Sequence, residues 1–156
     1  MDNKNLFTKD FVESLPRRFM TITLTSKKWR ELCEYVLWGM LYIKEEVEEG
    51  SSPLKAILLM NRVNTCNRLR DQIMESQAKS MYMCSITLPL HEWSTIRDCI
   101  WQGTSWEREH NPKMQISESV GYVYHNFIME RESVAHQSMT FEEETAFMHD
   151  IAFYGI

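Results

Sequence analysis

The chain has little glycine and little proline, five and four in 156 residues, so long disordered linkers and phosphate-cradling glycine loops have no composition to support them. A membrane-crossing helix needs about 20 consecutive apolar residues. The longest such run, Tyr35 to Ile43, falls far short of that. The opening MDNKNLFTKDF lacks a basic end followed by an apolar stretch, so it does not read as a secretory leader, and the expected location is the cytoplasm. Cys33, Cys66, Cys84 and Cys99 form no CxxC pair. The expectation is therefore four reduced thiols acting as small apolar side chains, with neither a disulfide framework nor a zinc knuckle. No GxSxG, Walker-type or HExxH motif occurs, and no catalytic residue, metal site or cofactor is assigned.

A net charge of −5 lacks the basic footprint of a nucleic-acid binder, so nucleic acid is not an expected partner. The charge is unevenly spread: residues 1–104 carry 14 Lys and Arg against 13 Asp and Glu, and residues 105–156 carry 3 against 9. The acidic final third can steer a partner or orient subunits.

What is present is an internal likeness. Thr21–Gly39, TITLTSKKWRELCEYVLWG, and Ser85–Gly103, SITLPLHEWSTIRDCIWQG, align at an offset of 64 residues. Ile22, Thr23, Leu24, Trp29 and Gly39 recur as Ile86, Thr87, Leu88, Trp93 and Gly103. In each copy a period of two gives way to a helical period. Met20, Ile22 and Leu24, then Tyr82, Cys84, Ile86 and Leu88, mark half-buried strands. Trp29, Leu32, Cys33, Val36, Leu37 and Met40, then Trp93, Ile96 and Ile100, mark the helices after them.

The first of these helices is expected to end before the acidic run Glu45–Glu49, and a second to start at Ser52-Pro53 and carry Ile57, Leu58, Val63, Cys66, Leu69 and Ile73. In the second copy the expectation is a loop over Gly103–Lys113 and a helix over about 117–133. A short helix before Pro16 precedes the repeats, and Thr140 with Glu143 forms a capping box for a last helix ending near Phe153.

The predicted fold is α+β and predominantly helical: one domain over 1–156, two strand–helix–helix units at about 19–79 and 83–135, a small antiparallel sheet, and an extension over 138–156. Because two strands alone are marginal, a third is expected near Met114–Ile116 or from a second chain. Trp38, Met40 and Tyr42 lie in the run that is apolar all round, which marks a central helix or a subunit interface, and these three suit the interface of a homodimer.

Three polar groups are candidate sites. Asn61, Asn64 and Arg68, flanked by Arg62 and Arg70, make a stripe whose amides and guanidinium forks suit a carboxylate, phosphate or nucleotide edge. Lys27, Lys28 and Arg30 sit at a helix start, which favours anions, although the second copy has His91 and Glu92 in place of the two lysines. Trp106, with Glu107 and Glu109, falls in the expected loop and is the candidate contact for a partner.

The segment MTITLTxxxWxxL, Met20 to Leu32, resembles in style small proteins of bacteriophages and other mobile elements. That resemblance implies an accessory protein, acting in the host cytoplasm, that binds and inhibits a host component such as a defence system. The expected function is thus non-enzymatic protein binding. The alternatives are sequestration of a nucleotide or other anionic small molecule, and a small metal-dependent enzyme using His and Glu residues around His125–His136.

Overall fold

The computed structural model describes residues 9–50, 53–79 and 82–154. The elements, in order, are α1 (Lys9–Glu13), β1 (Phe19–Thr25), α2 (Ser26–Gly50), α3 (Pro53–Ala78), β2 (Met83–Pro89), α4 (Leu90–His110), a 3-10 turn (Ile116–Glu118), α5 (Val120–Gln137) and α6 (Phe141–Tyr154). The fold is predominantly helical α+β, with β1 and β2 paired antiparallel in one two-stranded sheet. Ser52, expected at the start of the second helix, lies outside the described residues.

Both strands alternate as their sequences dictate. Met20, Ile22 and Leu24 are buried beneath β1, and Cys84, Ile86 and Leu88 beneath β2. The opposite face carries hydroxyls paired across the strands, Thr21 with Thr87 at 2.6 Å and Thr23 with Ser85 at 2.7 Å. Ile22 stands opposite Ile86, so the strands cross at the repeated residue itself.

Helix α2 begins at once because the Thr25 hydroxyl accepts the Lys28 amide at 3.2 Å. It does not stop at the acidic run. Glutamate is a good helix former, and the helix continues to Gly50. Its buried line passes through Trp29, Leu32, Val36 and Ile43, while Leu37, expected inside, is exposed. On α3, Ile57 is likewise exposed, and Cys66, Leu69 and Ile73 are buried as expected.

The loop expected over Gly103–Lys113 is instead mostly helix, since α4 runs on to His110. Gly103 is not a terminator but a packing residue. A Cβ there would lie 2.0 Å from the Tyr35 carbonyl oxygen, and one at Gly39 would lie 1.9 Å from the Cys99 carbonyl oxygen. The two long helices therefore touch backbone to backbone at both glycines, a separation no side chain allows. The third strand expected near Met114–Ile116 is also absent among the described residues, where the 3-10 turn follows.

The capping box forms as read: Thr140 accepts the Glu143 amide at 3.1 Å, and Glu143 accepts the Thr140 amide at 3.0 Å. Helix α6 is fastened by Asp150, whose buried carboxylate accepts two bonds from Arg17, each 3.1 Å. Arg17 also donates to the Val12 and Leu15 carbonyls, which ties α1 to α6. No described helix is long and apolar enough to cross a membrane.

Candidate functional site

The two edges of the sheet are not alike. The bonds from the Leu90 amide to the Arg18 carbonyl, 2.9 Å, and from the Ser26 amide to the Tyr82 carbonyl, 3.1 Å, set the phase of the ladder. In that phase the backbone groups of Met20, Ile22 and Leu24 face β2, and those of Phe19, Thr21 and Thr23 face outward. Among the described residues no backbone group pairs with this outward row. On the far edge α3 lies alongside β2, and Gln72 donates to the Thr87 carbonyl at 3.4 Å.

Beside the open β1 edge lies a groove of about 500 Å³, with Phe19 and Thr21 on the strand side and Phe127, Arg131 and Val134 on α5. That volume falls in the range of ordinary ligand pockets. Phe19 is 55% exposed and Val134 67%, so two large apolar side chains stand uncovered at its walls. Arg131 lies 4.2 Å over the Phe127 ring, which keeps its charge at the groove while its stem covers apolar surface. At one end Arg18 donates to Ser138 and approaches Glu143 at 3.8 Å.

The polar stripe predicted on α3 divides in two. Asn61, Asn64, Thr65 and Arg68 meet His91 around a cavity of about 270 Å³. Arg68 is ion-paired there with the buried Glu92 and donates to Thr65 at 3.2 Å. Arg62 turns the other way, is buried, and donates to Gln102. Arg70 is exposed and pairs with its neighbour Asp71 at 3.6 Å.

Lys27, Lys28 and Arg30 all lie exposed on the first turns of α2. Their counterparts His91 and Glu92 are largely covered, His91 by Asp150 at 3.4 Å and Glu92 by Arg68. Burial lowers the pKa of His91 against the opposing pull of Asp150.

Trp106 is a helical residue, not a loop residue. It stacks between Trp38, with centroids 6.0 Å apart, and His110, at 3.7 Å. Glu107 accepts hydrogen bonds from Tyr35 at 2.8 Å and Ser119 at 2.9 Å, which joins α2, α4 and the start of α5. Glu109 is exposed. Trp38, Met40 and Tyr42 are half-buried, with Trp38 and Met40 packed against the core. The more exposed apolar residues of α2 are Leu37, at 54%, and Leu41, at 39%.

Sequence reasoning passed over Phe19, Phe127, Arg131 and Val134. Two signals pointed to them: the uncharged strand FMTITLT, and the spacing of Val123, Phe127 and Val134 along one side of α5. Among the described residues no group of three or more His, Cys, Asp or Glu side chains is arranged to hold a metal ion. Comparison with known protein families, curated proteins and solved structures finds no match to this chain.

Proposed function

We propose that this is a non-enzymatic binding protein whose partner is another protein, held as an extended segment along β1. The observation that carries this is the groove of about 500 Å³ between an unpaired strand edge and an exposed apolar helix side. Strand addition supplies affinity through main-chain bonds and specificity through alternate side chains. Phe19 and Val134 offer contacts to apolar side chains of the segment, and the charged lining is mixed, Arg18 and Arg131 with Glu130. The likeness of β1 to mobile-element proteins adds the host-directed part of the proposal. Selection from a displayed library of random heptapeptides tests it. The expected yield is extended sequences with alternating apolar residues, with binding lost in Val134→Glu. Selected peptides indifferent to Val134→Glu would remove the groove from the account.

Two further parts of the proposal have their own support. The strand–helix–helix units are proposed to be a duplication, supported by contacts that exchange at the same offset of 64 residues: Gly39 with Cys99, and Gly103 with Tyr35. A homodimer is proposed on the exposed pair Leu37 and Leu41, which are four apart on α2. Sedimentation at twice the monomer mass of 18.6 kDa would support the dimer, and sedimentation at that mass would overturn it.

A second reading, sequestration of an anionic small molecule, is favoured by the convergence of Asn61, Asn64, Thr65 and Arg68 on one cavity. Glu92 already holds Arg68, so an anion would have to draw the guanidinium away from a carboxylate. A nucleotide that raises the melting temperature of the native protein but not of Arg68→Ala would support this reading.

A further inference from the structure

Glu132 is a buried carboxylate with one oxygen satisfied and one not. Its side chain is 3% exposed. Oε2 accepts hydrogen bonds from the Ser94 hydroxyl and from Arg97 Nη1, both 2.9 Å. Oε1 is buried and has no hydrogen-bond partner among the described residues. Buried polar atoms are nearly always paired, so Oε1 is an acceptor that a bound donor would satisfy.

Such a donor has room. Glu132 lines a cavity of about 320 Å³ whose walls come from α4, α5 and α6, with Arg97, Asp98, His136 and the Ser94 and Thr95 hydroxyls among its polar groups and Phe147 and Ile151 as apolar ones. The local charges do not balance. Among the described residues Arg97 is the one cation on the wall, and it divides its guanidinium between Glu132 at 2.9 Å and Asp98 at 3.5 Å. His136 does not make up the difference. It is packed edge-on against Phe147 at 4.6 Å, and burial lowers its pKa despite Glu144 nearby. When Glu132 is ionised, two carboxylates therefore share the Arg97 guanidinium beside an apolar floor.

We infer that this cavity binds a small organic cation, an ammonium or amidinium group on an apolar body, with its N–H donating to Glu132 Oε1 and its body against Phe147 and Ile151. The site is separate from the β1 groove, which uses other faces of α5, and neither proposal depends on the other.

Benzylamine tests it, with benzyl alcohol as the uncharged control of the same shape. Titration of the full chain followed by amide NMR should show saturable binding of benzylammonium, with shifts at Ser94, Glu132, His136 and Phe147. The alcohol should bind about tenfold more weakly or worse. Glu132→Gln should lose at least about tenfold in affinity for the amine while leaving the weak binding of the alcohol unchanged. If that variant does not fold, the side-chain carboxyl resonance of Glu132 in the native chain supplies the readout. Saturating amine should lower its apparent pKa, because a bound cation favours the ionised form. Equal binding of amine and alcohol, binding of the amine that leaves the Glu132 titration unmoved, or no shift at these residues would overturn the assignment.

Discussion

The indole rings of Trp29 and Trp93 stack with centroids 6.3 Å apart and planes inclined by 27°, and each sends its N–H to the strand of the other unit. Trp29 Nε1 donates to the Cys84 carbonyl at 2.9 Å, and Trp93 Nε1 donates to the Met20 carbonyl at 2.8 Å. Each bond becomes the other when 64 is added to or taken from its residue numbers. Both rings are fully buried, so the pair fastens two helices, two strands and the centre of the core at one point.

Trp29→Phe and Trp93→Phe should therefore destabilise by similar amounts. Each loses a buried hydrogen bond worth about 1 kcal/mol plus a smaller packing term. The double variant should depart from additivity, since the rings touch. Urea unfolding of the four proteins checks this, and one substitution costing several times the other would deny the equivalence.

Gly39→Ala and Gly103→Ala should each be severely destabilising, at about 3 kcal/mol or more, because a methyl group meets backbone rather than a movable side chain. Melting temperature is the direct readout. A loss of only a few degrees in either variant would mean that α2 and α4 stand further apart than described.

Much of this core is legible in the chain itself. The alternation around Ile22 and Ile86 and the box of Thr140 and Glu143 depend on neighbours a few residues away, and they form as read. Gly103 is misread as a helix end because its role is set by the Tyr35 carbonyl on another helix. The polar stripe of α3 is read as one surface, yet Arg62 and Arg68 part company, since only the positions of Gln102 and Glu92 decide which way each guanidinium turns. The β1 groove is harder still. It exists because α5 leaves one strand edge open while α3 lies along the other, and neither strand's residues record that.

Glu132 predicts a pH dependence whose sign follows from its burial. Desolvation raises its pKa from 4.5 to about 7, against the lowering effects of Arg97 and Ser94. The folded state thus holds a proton that the unfolded chain releases, and the stabilising contribution present below about pH 4.5 is lost as pH rises through about 7, on the order of 3 kcal/mol. His91, His125 and His136 have lowered pKa values and act in the opposite sense, losing stability as pH falls below 6.5. The difference between the native chain and Glu132→Gln isolates the carboxyl. The advantage of Gln over Glu should grow between pH 5 and 8. A flat difference would contradict the burial.

Asp150→Ala should release both ends of the chain from the core. It leaves Arg17 without its carboxylate and removes an ion-pair neighbour of His91, with an expected cost of about 3 kcal/mol. Hydrogen exchange should quicken in α6 first, while α2 and α4 keep their protection. Uniform loss of protection across all helices would show that α6 is not a separate layer.

The central claim, that β1 receives an extended segment of a protein partner, is tested most directly by amide exchange at single residues of β1. In the free protein the amides of Met20, Ile22 and Leu24 should exchange slowly and those of Phe19, Thr21 and Thr23 quickly, because only the first set faces β2. With a selected peptide bound, Thr21 and its outward neighbours should become slow as well, and the peptide's own amides should alternate in protection. A bound peptide that leaves Phe19, Thr21 and Thr23 exchanging as in the free protein would contradict the account.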